Sequence, residues 1–330
     1  MRKLVFGVLL LACMVGNSCE ETVEFPGQFR PRLVLYCVLS TETDTQYVSL
    51  LSSVANQSEN SSIPAANVDI SDGTNLFSFH DTTISDLSGD SVHVFVNDNF
   101  RPLAGAIYFL RVTANGFPTI TSKTAIPTHA VLDIDYPENA VIGNPWYGGG
   151  YPEPIVSFHP SGGASAYLTG LTLVYRDSLP GGTVEKRIPI PRQVEIIDCF
   201  FGKFKFRYTE IVSLGSAGGD VAYRWENFAW RLNVDLARQS YNPAFERAVF
   251  TVTQFSNEWY KYYNSARIFQ DRFSLRLDVP DYTNIEGGNG IFGSFVVDTV
   301  ATSMPKTLSP PGLGNYNTCD WPFPHMPVVQ

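Results

Sequence analysis

The sequence predicts a mainly β protein: an N-terminal immunoglobulin-like β-sandwich followed by a second antiparallel β domain carrying one aromatic-rich α-helix. Three observations predict it. Aromatic residues make up 13% of the 330, punctuated by 26 Gly and 22 Pro, a composition that favours strands over helices. Short runs alternate apolar and polar residues, as in Gln46-Tyr47-Val48-Ser49-Leu50 and Asn67-Val68-Asp69-Ile70-Ser71, which is how half-buried antiparallel strands read. Residues 257–270 alone carry convincing helical spacing.

The elements follow in chain order. Arg2 and Lys3 open the sequence, and Leu4 to Val15 form an apolar run of twelve residues. A membrane-spanning helix needs about 20, so residues 1–18 read as a cleaved secretory signal peptide. Gly16-Asn17-Ser18 precede Cys19, and Glu20-Glu21 follow it. That setting gives the lipoprotein reading. Cleavage would expose the Cys19 amine, and its thiol would carry diacylglycerol, whose acyl chains, palmitate among them, bury CH₂ groups at about 0.8 kcal/mol each. Cys13 is the rival, because Leu10-Leu11-Ala12-Cys13 fits the usual lipobox better. Cleavage there leaves a hydrophobic core of nine residues and sets Met14-Val15 directly after the lipid. An ordinary signal peptide without lipid is the third reading. Residues 19–31 then read as a lipid-anchored tether.

Strand candidates at 33–39, 46–52, 67–71, 75–79, 91–97, 106–114 and 119–126 are separated by turn clusters, with Asp72-Gly73 as a tight-turn signal. They make residues 32–127 the sandwich. Residues 128–330 form the second β-rich domain, with candidates at 131–136, 154–159, 170–176, 184–190, 204–213, 229–235, 247–254 and 291–299. Its helix starts with Ser256 as N-cap and Glu258 in the first turn, with Phe255 and Tyr260 in staple positions. Trp259, Tyr262, Tyr263, Ala266 and Phe269 form its stripe, expected to pack on a sheet.

Charge and cysteine usage remove several functions. Lys+Arg at 23 against Asp+Glu at 32 gives −9, and no basic run exceeds two residues; nucleic acid is therefore excluded as a partner. Loss of residues 1–18 takes the charge to −11, which suits solubility above a membrane and gives no help in binding anionic lipid. Cys37 lies in the apolar run 33–39 and reads as a small core residue. Cys199 and Cys319 are free to pair in an oxidising compartment, though nothing in their spacing demands it. No CxxC, HxxxH or HExxH occurs among the cysteines and five histidines, so no metal site is expected.

Nor does a catalytic set emerge. Gly288-Asn289-Gly290-Ile291-Phe292-Gly293 matches GxGxxG, but a dinucleotide site needs a helix opening on the glycines, and Phe295 to Val300 reads as a strand. Gly287, Gly288, Gly290 and Gly293 are therefore expected to be structural turn residues. No GxSxG is present. The acid pairs Asp133/Asp135, Asp69/Asp72 and Asp86/Asp90 read as solvated surface. Residues 144–151 keep some functional weight, because Trp146, Tyr147 and Tyr151 sit in a Gly-rich stretch where aromatics contact a partner or ligand. Packing at the domain interface is the alternative for them.

Four stretches carry a family resemblance. They are Ser18-Cys19-Glu20-Glu21, Pro64 to Gly73, Leu103 to Val112 leading into Thr124-Ala125-Ile126-Pro127, and Asn284-Ile285-Glu286-Gly287-Gly288-Asn289-Gly290-Ile291-Phe292-Gly293. The last is the most specific. With them the chain resembles a Bacteroidota-type outer-membrane lipoprotein family known as domain of unknown function 4249; residues 137–154 depart from its pattern. The resemblance implies an outer-membrane location, often with a TonB-dependent transporter encoded alongside. It implies no catalytic residues and no cofactor. The expected function is a lipid-anchored, non-enzymatic accessory or ligand-binding partner of such a transporter. A stand-alone carbohydrate-binding or adhesive module is the alternative, and a hydrolase with an acidic site comes last.

Overall fold

The computed structural model describes residues 30–53, 63, 65–85, 89, 91–135, 155–160, 162–179, 181–198, 203–207, 211–213, 220–222, 243–269 and 282–303. The front half is built from β1 (Leu33–Ser40), β2 (Gln46–Ser52), β3 (Asn67–Ser71), β4 (Leu76–Ser85), β5 (Ser91–Asn97), β6 (Ile107–Thr113) and β7 (Ile120–Ala125). They lie in two sheets that share one strand. Leu76 to Phe79 of β4 pair with β3, whereas His80 to Ser85 pair with β5. The first sheet therefore runs β1-β2-β5-β4 and the second β4-β3-β6-β7. The sequence ends this strand at 79; it continues because Thr82, Thr83 and Ile84 are β-branched and find partners on β5.

Alternation along these strands supplies the core. Leu33, Leu35, Cys37 and Leu39 of β1 are at most 2% exposed, as are Tyr108, Leu110 and Val112 of β6. Each such aliphatic side chain stabilises the fold by about 1.5–3 kcal/mol relative to exposure. Phe100 stacks on Phe77 at 4.1 Å and meets Tyr108 edge-on at 5.3 Å.

The rest comprises β8 (Val131–Asp135), β9 (Ile155–His159), β10 (Ala164–Leu179), β11 (Gly182–Ile190), β12 (Gln193–Asp198), β13 (Lys203–Arg207), β14 (Val212–Ser213), β15 (Asp220–Ala222), β16 (Pro243–Ser256), the helix α1 (Asn257–Phe269) and β17 (Asn289–Ser303). β11, β10, β16 and β17 line up in that order, then β17 joins β1, which makes the large sheet mixed. β12 pairs with β13, and β15, β9 and β8 form a further small sheet. Among the described residues the fold is thus mainly β with one helix, as the composition indicates. The expected strand at 229–235 lies outside the described residues.

β17 positions everything else. It pairs in parallel with β1 from Val34↔Asn289 to Ser40↔Phe295, and antiparallel with β16 from Phe255↔Phe295 to Arg247↔Ser303. Gly290 to Ser294 are all buried, because one face meets the sandwich core and the other meets α1. Phe292 and Ile285 join the same core cluster as Leu35 and Phe95. The sandwich expected from residues 32–127 thus takes a further strand from the far end of the chain.

Helix α1 leaves β16 without a gap. Ser256 caps it, its Oγ accepting the Trp259 N–H at 3.4 Å and also the Ser294 N–H at 3.1 Å. The Phe255, Trp259 and Tyr263 rings stack in a ladder, with centroids 4.1 and 5.2 Å apart. The helix packs on β17, β10 and β16.

A candidate binding groove on the second sheet

The segment from Tyr282 to Gly293 builds one wall of the site, and Asn284 fixes it. The Asn284 Oδ1 accepts the Phe292 N–H at 2.9 Å, while its Nδ2 donates to the carbonyls of Phe292 at 2.8 Å and Lys123 at 3.2 Å. Ser122 Oγ donates to the Asn284 carbonyl at 2.7 Å. Thr121 and Glu286 then exchange both backbone hydrogen bonds, at 3.2 and 2.8 Å. This asparagine does for a loop what a ladder does for a strand, with both its amide oxygen and its amide nitrogen bonded to backbone.

The glycines singled out in the sequence line this same segment. Gly287 and Gly290 have φ of +80° and +106°, a region open to glycine at little cost. A Cβ on Gly290 would lie 1.9 Å from the Leu35 carbonyl oxygen, one on Gly288 2.8 Å from that of Leu33, and one on Gly293 2.8 Å from Trp259 Cβ. Gly287 and Gly288 lie in the turn, whereas Gly290 and Gly293, also expected as turn residues, lie within β17 itself, where they let β1 and α1 approach closely.

Between this wall and the sandwich runs an open groove of about 740 Å³. A neighbouring depression of about 400 Å³ shares Asp69, Leu76 and Arg111 with it. The floor is the outer face of the second sheet, ordered by register. One row across the strands reads Leu76, Ser71, Phe109, Lys123. The next reads Ser78, Asp69, Arg111, Thr121, Glu286. Leu76 and Phe109 are 66% and 47% exposed. On the far side Glu258 and Lys261 of α1 line the groove with Tyr282, and Lys261 Nζ stands 5.8 Å from the Tyr282 ring centre. Burial, with a smaller contribution from Glu258, pushes the Tyr282 phenol up.

The carboxylates of the floor are occupied by hydroxyls. Ser78 Oγ donates to Asp69 at 2.6 Å, and Thr121 Oγ1 to Glu286 at 3.0 Å. Arg111 and Lys123 make no ion pair among the described residues.

Several other titratable groups among the described residues hold structure. Asp72 accepts the N–H groups of Asn75 at 2.7 Å and Thr74 at 2.8 Å, and these bonds, the Asn75 amide foremost, hold its carboxyl below the usual range. Asp298 binds His129 Nδ1 at 2.7 Å, the Ala130 N–H at 2.8 Å and Gln254 Nε2 at 3.2 Å. That cluster ties the segment after β7 to β16 and β17. His93 Nε2 meets Asp81 on the neighbouring strand. Cys37 is wholly buried, and desolvation raises its thiol far above the reactive range. Among the described residues no group of three or more His, Cys, Asp or Glu side chains could hold a metal ion, and no helix is long and apolar enough to cross a membrane.

Cys19, Trp146, Tyr147 and Tyr151 lie outside the described residues, as do Cys199 and Cys319. Sequence reading did not single out the groove residues Phe109, Arg111 and Lys123. Their signal was available, since Ile107, Phe109 and Arg111 alternate with buried Tyr108, Leu110 and Val112; the wall segment was visible as a motif at residues 284–293, but not that it would stand beside Lys123.

Fold and groove together define a mainly β sandwich protein with an open, mixed-charge surface groove. The chain matches the family model described as Domain of unknown function (DUF4249) over residues 20–300, and it belongs to that family. It matches no curated protein.

Proposed function

We propose that this chain is a lipid-anchored, non-enzymatic outer-membrane protein of the Bacteroidota type that serves a TonB-dependent transporter as an accessory or ligand-binding partner. The observation that carries the binding role is the groove, where exposed Phe109 and Leu76 adjoin Arg111 and Lys123. An apolar surface beside charges that have no ion pair suits recognition. The anchor is supported by Arg2-Lys3, the apolar run and Cys19 followed by acids. Confinement to one membrane raises the effective concentration of the two partners, so modest contacts suffice.

Two fractions test it. Wild type is expected in the membrane pellet, and Cys19→Ala in the soluble periplasmic fraction. An acylated Cys19→Ala protein still in the pellet moves the anchor to Cys13. Mild detergent extraction and affinity purification should then bring down an outer-membrane β-barrel; elution of the anchored protein alone overturns the accessory role. The alternative, a carbohydrate-binding or adhesive module acting alone, is supported by Trp146, Tyr147 and Tyr151, aromatics of the kind that stack on sugar rings. A hydrolase has the least support, because Asp69 and Glu286 each spend an oxygen on a neighbouring hydroxyl.

A further inference from the structure

We infer that Asn115, at the tip of the β6–β7 hairpin, is a self-modification site, where the Gly116 backbone nitrogen converts its side-chain amide into an aspartyl or isoaspartyl carboxylate. The site needs neither a ligand nor a transporter, so it goes beyond the accessory role and stands without it.

An asparagine or aspartate followed by glycine can close a five-membered ring on the glycine nitrogen, because glycine has no Cβ to shield that nitrogen or restrict the backbone. The chain has three such steps: Asn115-Gly116, Asn289-Gly290 and Asp72-Gly73. The fold protects two of them. At Asn289 the main chain is held. Gly290 is buried, and residues 289 and 290 lie opposite Val34 and Leu35 in the parallel ladder with β1. Ring closure there would turn the peptide between them out of the sheet. At Asp72 the reacting groups themselves are held. Its Oδ1 accepts the Thr74 and Asn75 N–H groups, its Oδ2 accepts Asn75 Nδ2 at 2.9 Å, and the Gly73 N–H donates to Ser71 Oγ at 2.9 Å. An ionised carboxylate is a poor electrophile, and these bonds favour that form.

Asn115 has none of these restraints. Asn115 and Gly116 are exposed, and neither the Asn115 carboxamide nor the Gly116 N–H makes a hydrogen bond among the described residues. The Phe117 N–H donates to the Ala114 carbonyl at 3.2 Å. That closes a turn with Gly116 at φ +81° and Asn115 at negative φ, the type II pattern. A Cβ on Gly116 would meet nothing within 4 Å, so no neighbour blocks the nitrogen. At the base of the loop Val112 pairs with Ile120, and the tip can rearrange without opening the sheet.

The atoms balance with water alone. Hydroxide takes the Gly116 amide proton, and the nitrogen attacks Asn115 Cγ. The N–Cγ bond forms, the Cγ–NH₂ bond breaks, and ammonia leaves with a proton from water. Water then opens the succinimide. Addition at Cγ leaves aspartate; addition at the backbone carbonyl carbon of residue 115 leaves isoaspartate, with the main chain lengthened by the side-chain methylene. Either product adds a negative charge two residues from Thr113, which lines the smaller depression with Arg111.

Peptide mapping by mass spectrometry tests this on the full chain in mild detergent, held folded at slightly alkaline pH and, in parallel, unfolded in guanidinium chloride. The peptide carrying residue 115 should grow heavier by the difference between –OH and –NH₂, faster as pH rises because the amide must lose its proton. In the folded chain Asn115 is expected to convert at least about tenfold faster than Asn289, which must wait for local opening of β17. In the unfolded chain the two should react alike. An isoaspartyl methyltransferase, used as a reagent with a labelled methyl donor, should mark that peptide. Asn115→Gln, whose longer side chain would need a six-membered ring, should abolish the mark there. An Asn115 that stays an amide in the folded chain overturns the inference. So do equal folded-state rates at Asn115 and Asn289, or a mark that persists on the same peptide in Asn115→Gln.

Discussion

Two glycines show how far one residue can be read. Gly73 and Gly290 both have positive φ, at +91° and +106°, but a Cβ on Gly73 meets nothing within 4 Å, while one on Gly290 meets the Leu35 oxygen at 1.9 Å. Gly73→Ala is therefore expected to cost only left-handed backbone strain, about 1–2 kcal/mol. Gly290→Val must also part β17 from β1, and should cost about 3 kcal/mol or more. Thermal melts check the pair, and equal losses in both would sink the close-approach argument. The sequence marks both as turn glycines and cannot rank them, because the Leu35 carbonyl is supplied by a strand far away in the chain. Burial likewise raises the phenols of Tyr108 and Tyr262, with Tyr36 adding to the second. In both, the fold favours the neutral ring, so the stability they contribute is complete below the unfolded value of about 10. It is lost as pH climbs from there through the higher folded values. Melting temperature should accordingly drop as pH rises above about 10, and Tyr108→Phe should blunt the drop; a slope unchanged in that variant would exclude Tyr108 as a contributor.

At the scale of elements, a single hydroxyl at the junction of β16 and α1 bonds to both helix and sheet. The Ser256 hydroxyl serves the helix through Trp259 and the sheet through Ser294. Ser256→Ala is expected to lose about 1–2 kcal/mol, read as a lower urea midpoint at unchanged m-value. A midpoint within error of wild type would mean that neither bond contributes. This helix start was legible, since an N-cap serine, an early glutamate and an aromatic stripe all point the same way. Short strands were legible too, because their alternation is complete within five to eight residues. Long ones were read short: 170–176 is the centre of Ala164–Leu179, and 247–254 the centre of Pro243–Ser256. Their ends carry small and polar residues that pair only because a long neighbour is present. The groove floor followed from alternation, but its second wall depended on the fold.

The whole molecule turns on where its last described strand goes. β17 completes the front sheet beside β1, and Ile285 and Phe292 fill the front core. A fragment of residues 30–127 is therefore expected not to fold, despite containing all the strands that make it look self-sufficient. Sharp, dispersed amide resonances from that fragment would contradict this; collapsed, poorly dispersed ones are the expected result. Nothing in local sequence announces a parallel partner, because parallel pairing requires a crossover and leaves no turn signature between the strands. The consequence reaches into the birth of the protein. Synthesis delivers β1 (Leu33–Ser40) long before β17 (Asn289–Ser303), and pairing over such separation is slow. On the proposed route, an enzyme acylating Cys19 would meet a chain whose front sheet still lacks its neighbour. The molecule would be moored before it has a shape, and until residues 289–303 arrive the bare edge of β1 is the surface a chaperone has most reason to guard.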